Sequence, residues 1–310
     1  MANIKKFIKE APSTFGTYLA ALPKVMKGRA LTSKNGELDE TFRVALTADL
    51  HTDGDGYRDR TDILRRCFAG ISANYAPHAI VMAGDITNAG HVSEYGHLKR
   101  LLAFYAKNIK VVPQMGNHDG RGTSIYPFYE EGLELFVDFC DFCGIKTTKA
   151  YFKTEIHGYT FIVLGPEKMV HEQSYITEEQ IAWLDAELEK ASAKGKPVFL
   201  INHQPPNNRN GVNLEPTFGG GIGVNSDLVD GTLLKYAEKG VKILFVSGHM
   251  HKQDEYTFDK AHDNLYYLNL DTIEYSNGLG YKMDVKGNSI HLEGFNFITN
   301  EAVEGRVYDI

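Results

Sequence analysis

The chain has 310 residues, 43% hydrophobic and 24% charged, an ordinary globular composition that excludes a disordered or fibrous protein. Its 33 Lys and Arg against 40 Asp and Glu give a net charge of −7, which argues against nucleic acid as a partner, because phosphate-backbone binding rests on clustered cations. No apolar run approaches the roughly 18 residues of a membrane span, so no stable membrane insertion is expected.

Residues 1–41 stand apart as a basic N-terminal arm. Within residues 1–35, seven cations between Lys5 and Lys34 face the single anion Glu10, a net +6 that leaves residues 36–310 at −13. Ile4, Phe7, Ile8, Phe15, Tyr18, Leu19 and Leu22 are interleaved with these cations, so the arm either packs on an acidic body or touches an anionic membrane surface. Packing on the body or on a second subunit of a homo-oligomer is expected, because monomers seldom leave such a patch open and Pro12 and Pro23 divide any long interfacial helix. Lys5, Lys6 and Lys9 interrupt the apolar stretch that a signal peptide needs. Cys67, Cys140 and Cys143 are too few for a disulfide scaffold, so a cytoplasmic setting is expected, with Cys140 and Cys143 packing inside a helix.

Residues 42–310 read as one domain in which strands and helices alternate. Phe42–Thr47 is a strand and Asp62–Tyr75 a helix. His78–Ala83 is a second strand, followed by a helix near Ser93–Tyr105. Lys110–Met115 is a third strand, and Pro127–Phe142 a helix stopped by Gly144. Tyr151–Ile156 and Tyr159–Leu164 form a hairpin around His157-Gly158. Thr177-x-x-Gln180 is a capping box that opens a helix through Lys190, with Trp183 in the core beneath it. Pro197–Asn202 and Lys242–Ser247 are two further buried strands, and the remainder is β: Leu265–Leu270, Tyr281–Val285, Ser289–Phe295 and Gly305–Asp309. Continuous apolar strands separated by helices indicate an α/β fold with sheets covered on both faces.

Five of these strands end in metal-capable side chains. They are Asp49-Leu50-His51, Gly84-Asp85, Gly116-Asn117-His118-Asp119, Asn202-His203 and Gly248-His249-Met250-His251. Ligands at the C-terminal ends of strands converge on one crevice. Four histidines, two aspartates and an asparagine make seven donors without a thiolate, more than one zinc-like ion needs. Two divalent or trivalent ions (Mn, Fe or Zn) are expected, with one carboxylate shared.

Taken together, the five motifs resemble the signature of the calcineurin-like metallophosphoesterases from residue 42 to about 251. The resemblance implies a four-layer α/β/β/α sandwich of two mixed sheets flanked by helices. It implies Asp49, His51 and His251 on one metal, Asn117, His203 and His249 on the other, and Asp85 bridging. His118 would stand outside the ligand set as acid or transition-state stabiliser. Two ions about 3.5–4 Å apart would clamp a phosphate and deprotonate a bridging water to attack phosphorus. Asp119 either orients His118 or stabilises its loop.

Gly84-Asp85-Ile86-Thr87-Asn88-Ala89-Gly90 lacks the arginine of serine/threonine phosphoprotein phosphatases, and Asn88 replaces the metal-binding tyrosine of purple acid phosphatases. With Glu94-Tyr95 and Arg121, the pattern is closer to the class III cyclic-nucleotide and glycerophosphodiester phosphodiesterases. A small phosphoester is therefore the expected substrate, a diester preferred, with Asn88 and Arg121 as substrate-binding candidates. The alternatives are a phosphomonoesterase, a DNA exonuclease of the same fold, or a scaffold that has lost catalysis. Gly219–Gly223 lacks the Gly-Lys-Ser/Thr of a P-loop and is expected to be a mobile loop at the rim of the site, with Arg209 nearby.

Overall fold

The computed structural model describes residues 40–54, 58–121, 129–168, 170, 172–212, 220–251, 257–274 and 276–310, without the side chains of 58 and 59. The basic arm lies outside the described residues except at its last two positions.

The elements in chain order are β1 (Phe42–Thr47), α1 (Arg58–Gly70) continued by a π-helical turn (Ile71–Tyr75), β2 (Ala79–Met82), α2 (Val92–Tyr105), β3 (Lys110–Pro113) and a 3₁₀ turn (His118–Gly120). Then come α3 (Tyr129–Phe142), the hairpin β4 (Phe152–Ile156) and β5 (Tyr159–Val163), α4 (Glu178–Ser192), β6 (Val198–Ile201), α5 (Ser226–Glu238) and β7 (Ile243–Ser247). The last part is all strand: β8 (Phe258–His262), β9 (Leu265–Asn269), β10 (Leu279–Lys286), β11 (Ser289–Asn296) and β12 (Glu301–Asp309). Two of these, α5 and β8, are absent from the sequence-based reading.

They build two six-stranded sheets, ordered β12-β11-β10-β1-β2-β3 and β4-β5-β6-β7-β9-β8. In the first, β1, β2 and β3 are parallel and β10–β12 form an antiparallel meander joined to β1. In the second, β5, β6, β7 and β9 are parallel, and β4 and β8 close the edges antiparallel. Pro113 lies in edge strand β3, where its missing N–H leaves no ladder unpaired.

The two-residue period of a strand assigns each side chain to a layer. In β6, Phe199 and Ile201 join the core between the sheets, whereas Val198 and Leu200 pack with Leu184, Leu188, Val229 and Leu233 of α4 and α5. β7 divides the same way, with Leu244 and Val246 inward and Ile243 and Phe245 under the helices. Leu98, Leu101 and Tyr105 of α2 and Phe136 and Phe139 of α3 belong to the core of the first sheet. Each buried Leu or Phe contributes about 1.5–3 kcal/mol, so both strand faces are committed and the order is helix, sheet, sheet, helix. The expected four-layer architecture is the one observed.

Cys67 and Cys140 are buried and Cys143 partly so, all three as free thiols. Burial pushes the thiols of Cys67 and Cys143 up to about 12, so the C-x-x-C pair packs as expected. The capping box at Thr177 is only half formed. The Thr177 hydroxyl accepts from the Gln180 N–H, but the Gln180 side chain bonds Gly165 and Glu167, and Glu167 takes the Thr177 N–H instead. Among the described residues, no helix is long and apolar enough to cross a membrane.

Candidate metal centre

Parallel strands deliver their following loops to one edge, and backbone hydrogen bonds fasten those loops together. The Asp49 and His51 N–H groups donate to Gly84 and Asp85 carbonyls (3.1 and 2.9 Å), and Gly248 N–H donates to His203 O (2.9 Å). His249 N–H reaches across to Asp49 Oδ2 at 3.0 Å, and His118 N–H to Asp85 Oδ1 at 2.8 Å. Two glycines are required by close approach: a Cβ on Gly116 would collide with the Asp85 carboxylate, and one on Gly248 with that of Asp49.

Five of the seven expected ligands have left-handed backbone: Asp49, His51, Asp85, His249 and His251, with φ between 42° and 69°. Such conformations cost about 1–3 kcal/mol each for a residue with a side chain and persist where surrounding structure enforces them. Their concentration here marks the place where the fold spends stability on geometry.

The donors meet in three groups whose ligand atoms lie within 4.8 Å of one another: Asp49, His51 and His251; His51, Asp85 and His118; Asp85, His203 and His249. Asp85 belongs to two of them and so stands at the junction. Asn117 precedes His118, and its Oδ1 accepts at 3.2 Å from Nε2 of Gln204, the residue after His203. Six of the seven expected ligands and His118 thus meet at one locus, with Asn117 joined to it through Gln204.

The residues fit cations. His203 Nε2 and His249 Nε2 are buried without a hydrogen-bond partner, although His203 Nε2 lies 3.0 Å from Asp85 Oδ2. His51 Nε2 and His251 Nε2 face each other at 3.5 Å, and Asp49 Oδ1 is 2.8 Å from His251 Nε2. A buried nitrogen without a partner, as at His249 Nε2, is costly, and a metal ion supplies one.

Protonation tells the same story. Burial pushes the imidazoles of His249 and His51 down to about 3 and about 4. It would lower His203 too, but Asp85 and Asp49 outweigh it and hold that ring up at about 10. Burial opposes the charge on Asp85, yet His203 keeps its carboxyl well below the usual range, and His203 with His251 lowers that of Asp49. The proton on His203 stands where a metal cation would neutralise two buried carboxylates.

His118 Nδ1 is 2.6 Å from the Asn88 carbonyl. A carbonyl only accepts, so Nδ1 carries the proton and Nε2 faces the centre, 3.9 Å from Asp85 Oδ2. The side chain is 22% exposed. Asn88 therefore meets His118 through its backbone. Asp119 is fully buried and accepts from the N–H groups of Ile86, Thr87 and Gly116 and from the Thr87 hydroxyl. It ties two ligand loops together, which is the loop-stabilising alternative; burial, then Asp85, push it up to about 7.

Arg121 Nη2 is paired with Glu172 Oε1 at 2.7 Å, both about a third exposed at the rim. Arg209 is bound to Asp230 at 2.7 Å and lies over the Tyr267 ring, so it serves α5 and β9. Gly219 is outside the described residues, whereas Gly220 runs against Met250 and His249 at the edge of the centre. Trp183 is partly buried beneath α4 against Tyr151 (4.9 Å between ring centroids).

The sequence reading missed Glu172 and Gln204. Glu172 Oε2 accepts from Asn117 Nδ2 at 2.5 Å, and its backbone carbonyl accepts from Gln204 Nε2 at 2.8 Å. Gln204 could be suspected from its place after His203; Glu172 follows β5 in a loop with no motif.

A model of the calcineurin-like phosphoesterase family matches residues 42–253. A probable cyclic nucleotide phosphodiesterase of Rhodococcus erythropolis is 31% identical over 151 residues, 48% of this chain and 46% of that protein. A glycerophosphodiester phosphodiesterase of Enterobacter lignolyticus is 25% identical over 140 residues, 45% of this chain and 46% of that one. The chain thus spans about half the length of the curated relatives it matches. Among solved structures, a dimetal phosphatase from Danio rerio superposes with a TM-score of 0.55 at 15% identity, over 87% of this chain and 98% of that one.

Proposed function

The chain belongs to the calcineurin-like phosphoesterase family, and from that membership we propose that it is a dinuclear metal-dependent phosphohydrolase acting on a small phosphodiester of the cyclic-nucleotide or glycerophosphodiester type. The observation that carries this reading is the convergence of His203, His249 and the Asp85 carboxylate, with His249 Nε2 buried without a hydrogen-bond partner and His203 Nε2 3.0 Å from Asp85 Oδ2. Asp49, His51 and His251 would hold one ion, Asn117, His203 and His249 the other, and Asp85 both. Imidazole, carboxylate and amide donors without thiolate suit manganese, iron or zinc. Bound there, two such ions supply Lewis-acid polarisation of a phosphoryl group and activation of water near neutral pH.

The chain's own residues do the rest. The Asn88 carbonyl holds His118 Nδ1–H, which leaves Nε2 to carry a second proton toward the leaving oxygen or a phosphoryl oxygen. The His118 N–H fixes Asp85 Oδ1, and Asp119 keeps the Asp85 and Asn117 loops in register.

The diester preference is supported by the rim. Arg121 is paired with Glu172, and Arg60 with Asp53, two residues beyond His51, and with Glu274. Guanidinium groups already matched by carboxylates suit the single charge of a diester better than the double charge of a monoester. The free thiols of Cys67, Cys140 and Cys143 support a reducing, cytoplasmic setting.

The test is hydrolysis by protein reconstituted with manganese, iron or zinc, comparing bis-p-nitrophenyl phosphate, p-nitrophenyl phosphate, cyclic nucleotides and a glycerophosphodiester. Faster turnover of diesters, abolished by chelator, is expected. Faster turnover of the monoester would overturn the substrate class, and inactivity toward all of them with both ions bound would overturn the enzyme.

A further inference from the structure

We propose that Glu172 is a positioning residue that fixes Asn117 as an oxygen donor to the second ion; the proposal rests on the two-ion reading of the centre. An asparagine amide carries an oxygen that binds metal and an NH₂ that does not, and half a turn about its last torsion exchanges them. Something must choose between the two. The Glu172 carboxylate can only accept, so the Asn117 group 2.5 Å from its Oε2 is the NH₂. Gln204 Nε2 can only donate, so the atom 3.2 Å from it is the Asn117 oxygen. The two restraints select the same orientation.

Both restraining groups are themselves held. Gln204 Nε2 also donates to the Glu172 carbonyl at 2.8 Å, and Gln204 Oε1 accepts from the Ser174 hydroxyl. Asn202 at the end of β6 donates to Ser174 Oγ at 3.0 Å and to the Gln204 carbonyl at 2.7 Å. Glu172 Oε1 takes Arg121 Nη2 at 2.7 Å, a charge-assisted bond that holds the carboxylate in place. The same carboxylate holds Arg121 beside His118, 3.3 Å from an Nδ1 whose proton already belongs to the Asn88 carbonyl. One rim glutamate therefore links a metal-binding amide to the guanidinium next to the candidate acid.

The test is a manganese(II) titration of the full chain by calorimetry with elemental analysis, on wild type, Glu172→Ala and Glu172→Gln. Outer groups that orient metal ligands are worth about 10–100-fold in affinity. Glu172→Ala should bind the first equivalent as wild type does and the second about 10–100-fold more weakly. Glu172→Gln should recover most of that loss, because its amide oxygen still accepts from Asn117 Nδ2. Wild-type binding of both equivalents by the Ala variant would overturn the proposal. So would equal weakening of both with a lowered melting temperature, the mark of a merely structural role, or a Gln variant as weak as Ala. A wild-type chain that takes a single ion would instead refute the two-ion reading itself, and this role with it.

Discussion

Loading the centre with metal should release a proton, and affinity should climb with pH. Asp85 and Asp49 hold His203 protonated up to about pH 10 against the effect of burial, so an ion that takes His203 Nε2 must displace that proton. Metal ligands bind deprotonated, and one displaced proton makes affinity rise about tenfold, or about 1.4 kcal/mol, per pH unit. From about pH 6.5 to about pH 8.5 the gain is about a hundredfold. His51 and His249, held near 4 and 3, are already neutral across that window and contribute nothing. His251 is raised because Asp49 outweighs its burial, so it adds to the proton release in the same direction. The metal-free protein should show the opposite sign. A histidine whose folded value, about 10, exceeds its ordinary 6.5 lends stability that is fully present below 6.5 and lost as the pH climbs toward 10. Calorimetric titration with manganese(II) in anaerobic buffers of different ionisation enthalpy counts the protons directly. Release of about one proton or more with rising affinity is expected. A flat affinity with no proton release would refute the assignment of His203 as a ligand that is protonated before metal arrives.

Three substitutions probe the other parts. Asp85→Ala should lose both ions and Asn117→Ala mainly the second, read by elemental analysis after reconstitution; loss of one ion from Asp85→Ala would remove its shared role. His118→Ala should keep both ions while activity falls about 10²–10⁴-fold, most for substrates with poor leaving groups; lost metal would place His118 among the ligands, as its proximity to His51 and Asp85 allows. Asp119→Ala strips the buried N–H groups of Thr87 and Gly116 of their acceptor, and should cost about 3 kcal/mol or more in denaturant unfolding. An unchanged midpoint would show that the two loops do not depend on it.

The sequence was most legible where chemistry and periodicity coincide. Each ligand follows an apolar run that can only be a buried strand, so naming Asp49, Asp85, Asn117, His203 and His249 also located the crevice they share. The layers were legible because strands such as β6 are apolar at every position, Val198 through Ile201, which requires cover on both faces. What escaped depends on partners distant in sequence. Strand β8 has no fully buried residue and exists through its pairing with β9. Helix α5 carries Val229, Leu233, Tyr236 and Ala237 at helical spacing, a signal present but diluted by Gly231. Glu172 is invisible locally because its role consists of contacts to Asn117 and Arg121, more than fifty residues upstream. The start of α2, where Glu94 accepts from the Ala89 and His91 N–H groups, has no sequence signal, since histidine is not a usual N-cap.

The most direct measurement is an anomalous difference map from crystals of the full chain grown with manganese(II). Two peaks flanking the Asp85 carboxylate are expected, one bounded by Asp49, His51 and His251 and the other by Asn117, His203 and His249. A single peak, or two peaks that do not share Asp85, would contradict that arrangement.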